Sequence, residues 1–167
     1  MTLIWEDFMK IQNSGEQLNN AALSKFEKQL NIRLPQDYKD FMLKNNGGTP
    51  EKDWAFNFVD LMTNTTTSSV IQSFFVIYEE ETHEDNDLRK SYRILQEEGE
   101  IPVDILPIAD DPGGNLICMC ISEKNYGRVF FCDHELEDPK TGYILMNMIA
   151  DSFSDFIDNC YEFFYEE

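Results

Sequence analysis

Two short runs of apolar residues lie near the middle of the chain, at positions 116–121 and 129–132. Each run is too short for a helix. The polar segment between them, residues 123–127, contains Asn125 and Gly127, which tolerate backbone angles that other residues avoid. This pattern predicts a hairpin of two strands. Because an edge strand shows a polar face and these runs show almost none, we expect both strands to lie centrally in a sheet.

The residues before this hairpin, at positions 110–115, combine two aspartates, a proline, two glycines and an asparagine. These are strong turn formers, so the pattern predicts that the chain reverses there. Asp110, Asp111 and Asn115 superficially resemble a calcium loop, but the EF-hand spacing and its closing glutamate are absent. We interpret them as turn residues whose side chains bond their own backbone.

Apolar residues spaced three or four apart predict three helices in the first part of the chain. The first covers residues 4–12. The second begins at residues 19–20 or one turn later at Ser24, because both positions offer an N-terminal cap. The third begins at Pro35 and is stopped by the Asn-Gly-Gly sequence at positions 46–48.

The same spacing predicts two helices in the second half of the chain. One covers residues 88–98, with Tyr92 and Leu95 facing inward. The clearest one covers residues 153–164, where apolar residues follow the helical period and aspartates occupy the opposite face.

The remaining pattern predicts strands and loops. Residues 54–59 alternate moderately between apolar and polar, and residues 70–78 are β-branched and aromatic, so we expect a strand in each. Residues 105–109 lead into the central hairpin. Residues 63–69 are a run of threonine, asparagine and serine, which is typical of a loop.

Charge narrows the possible partners. The chain has 13 Lys and Arg against 32 Asp and Glu, giving a net charge of -19. A field of this sign repels nucleic acid and anionic membranes and attracts a basic protein. The alternative is that the acidity serves solubility alone. The first residues carry acids and lack a secretory pattern, and no apolar run is long enough to span a membrane. We therefore expect a cytoplasmic protein.

Two acidic segments are candidates for contact with a basic partner. The first, residues 79–87, holds six acids in nine residues and is expected to be a solvated loop. The second surrounds Asp133, His134 and Glu135, which we interpret as a turn at the end of a strand. The candidate partner-binding residues are Glu79, Glu80, Glu81, Glu84, Asp85, Asp87, Asp133, Glu135, Glu137 and Asp138.

The cysteines and histidines do not predict a metal site or a cofactor. Cys118, Cys120, Cys132 and Cys160 lie in apolar surroundings, which indicates reduced and buried thiols. Cys118 and Cys120 project from one face of a strand and, with Cys132, offer ligands to a soft metal; core packing is the favoured interpretation. The two histidines, His83 and His134, cannot complete a zinc site without thiols. Catalytic triads and phosphate loops are also absent from the sequence.

Several short motifs occur in order between about residues 19 and 160. They are Glu27, Leu34-Pro35-Gln36-Asp37-Tyr38, Phe41, Asn46-Gly47-Gly48, Leu106-Pro107-Ile108-Ala109, Gly113-Gly114-Asn115-Leu116-Ile117-Cys118, Tyr126-Gly127-Arg128-Val129, Asp133-His134-Glu135, Ala150-Asp151-Ser152-Phe153 and Phe156. In this series the chain resembles the SUKH superfamily, the Smi/Knr-like proteins. Departures are Cys132, where an aromatic residue is common, and residues 63–98.

The resemblance implies an α+β fold with an antiparallel or mixed central sheet and helices packed against it. It also implies a binding protein with no catalytic residues. We expect one domain over residues 1–167.

Three functions are compatible with these observations. The resemblance implies an immunity protein of a bacterial polymorphic toxin or contact-dependent inhibition system, and the charge favours a basic toxin such as a nuclease. A second hypothesis is a regulatory or scaffold module of the same fold without a toxin. A third is a small enzyme that uses the carboxylates of Asp110, Asp111, Asp133 and Glu135, which is disfavoured because no activated pair is evident. We expect a monomer or a weak homodimer.

Overall fold

Fourteen helices and strands follow one another in the computed structural model, which describes residues 9–166. In chain order they are β1 (Ile11–Gln12), α1 (Asn20–Leu30), α2 (Gln36–Lys44), β2 (Thr49–Pro50), β3 (Trp54–Asp60), β4 (Thr65–Val70), β5 (Ser73–Phe74), α3 (Leu88–Glu97), β6 (Ile105–Asp110), β7 (Leu116–Cys120), β8 (Val129–Glu137), β9 (Ile144–Ala150), α4 (Phe153–Asn159) and β10 (Tyr161–Glu162).

A five-stranded sheet with the order β5-β6-β7-β8-β9 forms the centre of the fold. All of its neighbouring strands pair antiparallel. The predicted hairpin is confirmed: β7 and β8 are adjacent, with Leu116 opposite Cys132 and Met119 opposite Val129. Their apolar residues are mostly buried, as expected for strands covered on both faces. Asn125 and Gly127, in the connection, both adopt positive φ.

A second sheet with the order β10-β3-β4 covers one face of the first. Aromatic side chains form the contact between the two sheets. Phe58 of β3 stacks on Phe131 of β8 with 4.2 Å between ring centroids, and Phe56 lies 5.6 Å from the same ring. Phe156 of α4 meets Phe56 edge-on at 5.7 Å. These ring contacts bury the inner face of β3 and leave its outer face toward solvent.

The predicted helix starts and stops are largely confirmed. Asn19 caps α1, because its Oδ1 accepts a hydrogen bond from the Ala22 amide at 2.8 Å. Pro35 lies immediately before α2 rather than inside it. Ser152 caps α4, its Oγ accepting from the Asp155 amide at 3.0 Å. Helix α3 also matches, with Tyr92 buried and Leu95 partly buried.

Three predicted elements were wrong or only partly right. Of the predicted helix at residues 4–12, the first five positions lie outside the described residues, and Ile11–Gln12 forms β1 instead. The predicted loop at residues 63–69 contains most of strand β4. Threonine supports extended backbone, and β4 is polar on both faces because it lies at a sheet edge. The predicted strand at residues 70–78 is interrupted, since the chain crosses there from one sheet to the other and only Ser73–Phe74 is regular.

The last helix is shorter than predicted. It ends at Asn159, and Tyr161–Glu162 becomes β10, which pairs with β3. The Phe163 amide donates to the Asp53 carbonyl at 2.8 Å, and the Tyr161 hydroxyl donates to Asn57 Oδ1 at 2.7 Å. The main chain of these residues therefore bonds to β3 and its neighbour Asp53, and not to a further turn of α4.

Candidate partner-binding surface

The first acidic segment, residues 79–87, leads into α3, and two cations of that helix, Lys90 and Arg93, form ion pairs with its carboxylates. Arg93 of α3 holds the Glu81 carboxylate with nitrogen–oxygen distances of 2.6, 2.9 and 3.1 Å. These hydrogen bonds lower the pKa of Glu81. Lys90 Nζ donates to the His83 and Glu84 carbonyls and lies 3.6 Å from Asp85 Oδ1. The loop is therefore tied to the helix by cations of the helix itself.

Three carboxylates of this segment remain available to a partner. Glu79, Glu80 and Glu84 are exposed and have no ion pair among the described residues. Glu81 and Asp85, by contrast, form ion pairs with cations of α3. Only part of the predicted acidic cluster is thus open to an external cation.

Asp87 was wrongly included among the exposed candidates. Its side chain is fully buried and caps α3, accepting from the Lys90 amide at 3.2 Å. Its other oxygen accepts from the amide and hydroxyl of Thr82 at 2.7 and 2.9 Å. A carboxylate at a helix N-terminus satisfies free amides and complements the helix dipole. Asp87 therefore has a structural role and is withdrawn from the candidate surface.

The second acidic segment lies along β8, not in a turn at its end as predicted. Asp133 Oδ1 accepts from the Glu135 amide at 3.0 Å, at a point where the register between β8 and β9 shifts. Such a bulge turns side chains out of the regular alternation. Glu135 and Glu137 are exposed, while Asp138 shapes the hairpin that follows, its Oδ1 accepting from the Lys140 amide at 2.9 Å.

A groove between α3 and the five-stranded sheet brings the two acidic segments together. Its volume is about 330 Å³, and apolar side chains such as Leu95, Leu116 and Ile144 line it. Asp85 of the first segment and His134 of the second line the same groove. The groove thus combines apolar lining residues with charged ones, among them Asp85, Lys90 and Glu100, a composition suited to binding another protein.

A chain of hydrogen bonds fixes His134 and the turn beside it. Asp111 Oδ1 accepts from the Gly113 and Asn115 amides at 2.9 and 2.8 Å, which confirms its role as a turn residue. Asp111 Oδ2 accepts from Ser69 Oγ at 2.7 Å and Asn115 Nδ2 at 3.1 Å. Asn115 Oδ1 lies 2.7 Å from His134 Nδ1. This network joins β4 to β8 across the turn.

Asp110 lies partly buried at the junction of β5 and β6. Burial raises the pKa of Asp110, and hydrogen bonds from the amide and hydroxyl of Ser73, at 3.1 and 2.8 Å, oppose the shift. The carboxylate is occupied by these bonds at the junction of β5 and β6. Burial alone explains the direction of this pKa shift, so the shift does not indicate a catalytic role.

The four cysteines are buried, as predicted. Burial raises the pKa of the Cys118 thiol, and the neighbouring Cys132 adds to the shift. Burial also raises the pKa of Cys160 to about 12. Within residues 9–166, no group of three or more His, Cys, Asp or Glu side chains is arranged to hold a metal ion. That the thiols carry no metal remains a prediction.

A larger cavity that sequence reasoning missed lies between α1 and residues 77–79. Its volume is about 450 Å³. Arg89 of α3 places its guanidinium 5.4 Å from the Phe26 ring centroid, and its Nη2 donates to Gln29 Oε1 at 2.9 Å. The lining residues come from four separate parts of the chain, so no local pattern signals the cavity. The groove beside α3 is also lined by residues from separate parts of the chain, so no local pattern predicts it either.

None of the helices in the described part of the chain is long and apolar enough to cross a membrane. The model of the SMI1 / KNR4 family (SUKH-1) matches residues 17–159, which is most of the chain. A relative from Bacillus subtilis (strain 168), described as the SPbeta prophage-derived uncharacterized protein YokK, is 30% identical over 150 residues. That alignment covers 83% of this chain and 72% of the relative. The predicted motif series and the antiparallel sheets with their packed helices agree with this match, and the chain belongs to the SMI1 / KNR4 family (SUKH-1).

Proposed function

We propose that this protein is an immunity protein, which binds a cognate toxin through its acidic surface and blocks it by contact. The observation that carries the proposal is a largely apolar groove to which each acidic segment contributes a residue, Asp85 from the first and His134 from the second. Family membership supports it, because the SUKH resemblance implies immunity proteins of bacterial toxin systems. In this role the protein acts in the cytoplasm by binding rather than by catalysis.

The charge supports a basic toxin. The chain carries -19 overall, and Glu79, Glu80 and Glu84 form no ion pair with any cation in residues 9–166. Exposed charges of this kind accelerate encounter with an oppositely charged protein, and salt screens the effect. Glu137 is paired with Ile144, and the Glu135 amide is held by Asp133 Oδ1 in the bulge, so these two residues are better fixed for contacts that persist in the complex.

The test begins with identification of the partner by pull-down from the native host. Co-expression with the partner then measures protection of the cell, and binding kinetics at two salt concentrations measure the electrostatic contribution. A variant with Glu79, Glu80 and Glu84 changed to glutamine should associate roughly 3- to 10-fold more slowly at low salt and show a weaker salt dependence.

A matched control removes the same number of charges elsewhere. Glu51, Glu123 and Asp158 are exposed and lie on other segments of the chain. Changing them to the corresponding amides should leave the association rate close to that of the unmodified protein. If both triple variants slow association equally, only net charge matters and the acidic segments are not the interface.

The alternative function, an interaction module without a toxin, predicts a different result in the same experiment. The captured partner would then be harmless when expressed alone. Growth of cells that express the partner without this protein distinguishes the two functions, and normal growth would refute the immunity proposal.

A further inference from the structure

Strand β4 is the only long, regular and unprotected edge among the sheets of the described residues. Sheet edges carry unpaired main-chain groups, and proteins protect them with short strands, bulges, prolines or charges, especially lysine. Strands β5 and β10 are edges of two residues each. Strand β9 is an edge whose register with β8 shifts twice. Strand β4, in contrast, pairs with β3 over six consecutive positions without a shift, and its sequence TTTSSV contains no charge or proline.

The outward main-chain groups of β4 can be assigned from the register. The Ile71 amide donates to the Trp54 carbonyl at 2.9 Å, so this facing pair is a hydrogen-bonded one. Because such pairs alternate along an antiparallel ladder, Ser69 and Thr67 bond to β3. The amides and carbonyls of Thr66 and Ser68 therefore point away from β3, two residues apart. The Gln72 amide, which follows in the same phase, confirms the assignment by donating outward to Asp110.

Lysine and arginine are absent from every strand that the structure describes, including β4. Along the chain, no cation occurs between Asp53 and Leu88, which spans the whole β3–β4 hairpin. The cations are confined to helices and connections. A positively charged strand that approached β4 would therefore meet no repelling side chain from β4 or from its partner strand.

Carboxylates lie beside this edge. Asp60 is the last residue of β3, at the start of the hairpin tip and opposite Thr65. On the other side, Ser69 bonds to Asp111, which bonds through Asn115 to His134 of β8. Asp133 and Glu135 flank that histidine. The acidic part of β8 is thus connected to β4 through three side-chain hydrogen bonds in series.

We propose that β4 is a docking edge that receives an extended, basic segment of the partner protein as an added strand. Main-chain bonds to Thr66 and Ser68 would supply the pairing, and the flanking carboxylates would select lysine and arginine side chains. Exposed apolar residues at the hairpin tip, Leu61 and Met62, would contact the end of the segment. This inference rests on the proposed function only in taking the toxin as the source of the segment.

A second copy of this chain is a poorer occupant of the same edge. Pairing β4 with β4 of another molecule would bring two proteins of charge -19 together, each with its carboxylates beside the seam. Like charges across an interface disfavour association. Charge complementarity therefore selects a basic partner.

The probe for this edge is an acetylated and amidated ten-residue peptide of alternating valine and lysine. Its binding is measured by fluorescence anisotropy, and amide hydrogen exchange of the Thr66 and Ser68 amides is followed by NMR. Strand addition should slow exchange of both amides at least about tenfold. A peptide of the same sequence with alternate amides N-methylated should lose binding, because it keeps the charge and lacks the donors.

Two variants test the edge within the protein. Ser68→Pro removes an outward amide that β3 does not use, so the hairpin should tolerate it while binding falls at least about tenfold. Ser68→Ala is its matched control and should bind normally. Thr66→Lys leaves the backbone intact and places a cation on the edge, so it should also weaken binding.

The outcomes separate this inference from the proposed function. Equal binding of the N-methylated peptide, or normal binding by a folded Ser68→Pro variant together with Thr66→Lys, would overturn the docking edge. If a toxin is found and the Ser68→Pro variant neutralises it with unchanged affinity, the function stands and the edge does not. If the partner proves harmless and the peptide still protects the β4 amides, the edge stands and the immunity function does not.

Discussion

Replacement of Asn46 by alanine should destabilise the protein far more than replacement of its neighbour Asn45. Asn46 is 2% exposed and connects three segments through its side chain. Its Nδ2 donates to the Glu16 and Ile77 carbonyls, both at 2.8 Å, and its Oδ1 accepts from the Ile77 amide at 2.9 Å. Alanine removes all three bonds and leaves both buried polar groups of Ile77 without these partners.

The size of the effect follows from these bonds. A hydrogen bond whose partner stays accessible to water contributes about 1 kcal/mol, and a buried group that loses its partner costs about 1–3 kcal/mol. The Glu16 bond and the two Ile77 groups together therefore give an expected fall in the free energy of unfolding of about 3–7 kcal/mol for Asn46→Ala. For a domain of this size, that corresponds to a fall in Tm of roughly 10 °C or more.

Urea unfolding of the two variants provides the measurement. Asn45 is half-buried, has extended backbone at the end of α2 and forms no side-chain hydrogen bond with another described residue, so Asn45→Ala should cost about 0.5 kcal/mol or less. An unchanged m-value would show that both variants unfold by the same transition. If the two variants differ by less than about 1 kcal/mol, the Asn46 side chain does not hold the three segments together.

Three further outcomes follow from the buried groups. Cys118→Asp should lower the free energy of unfolding by several kcal/mol, measured in urea, because it buries a carboxylate between two strands; unchanged stability would show that β7 is exposed. Thiol titration at pH 8 should detect almost no reactive cysteine in the native protein and four after unfolding, since burial raises the pKa values of Cys118 and Cys160; retained zinc would contradict the second count. Burial raises the pKa of Asp110, so the native state binds this proton more tightly than the unfolded state does. The contribution of protonated Asp110 to the stability of the protein is therefore lost as pH rises through the raised pKa. Asp110→Asn keeps an oxygen for Ser73 and should raise the urea midpoint at pH 7, with the gain shrinking as pH falls; a gain that is constant with pH would refute this account.

Sequence reasoning succeeded where one residue type had one plausible environment. The runs in β7 and β8 are apolar on both faces, so only a covered position in a sheet suits them. Asn19 and Ser152 were each one of two or three candidate caps, beside Asn20 and Ser24 in one case and Asp151 in the other, because each precedes a helical pattern. These features depend on local chemistry, which the sequence contains directly.

Sequence reasoning failed where partners distant in the chain decide the structure. Strand β4 has no alternation to signal it, since its existence depends on the main chain of β3. Tyr161 fits a helical stripe by spacing, but its pairing with Ala55 places it in a sheet. Local pattern therefore could not locate either element.

The sequence predicted that the candidate site would be acidic, but it could not predict which carboxylates are exposed or where they lie. Asp87 is indistinguishable in sequence from Asp85, yet one caps α3 from inside the protein and the other is fully exposed. The groove beside α3 required side chains from segments far apart in sequence. Tertiary packing decides which acids are available.

The four exposed residues at the start of β4 contribute main chain to the sheet and no side chain to the core. Their substitution, proline at ladder positions aside, changes the outer surface while leaving internal packing untouched. If β4 is the docking edge that we propose, substitutions at these positions are limited by the partner and hardly at all by folding. A recognition strand of this kind can diversify quickly, so one ancestral scaffold can give rise to many mutually exclusive pairings.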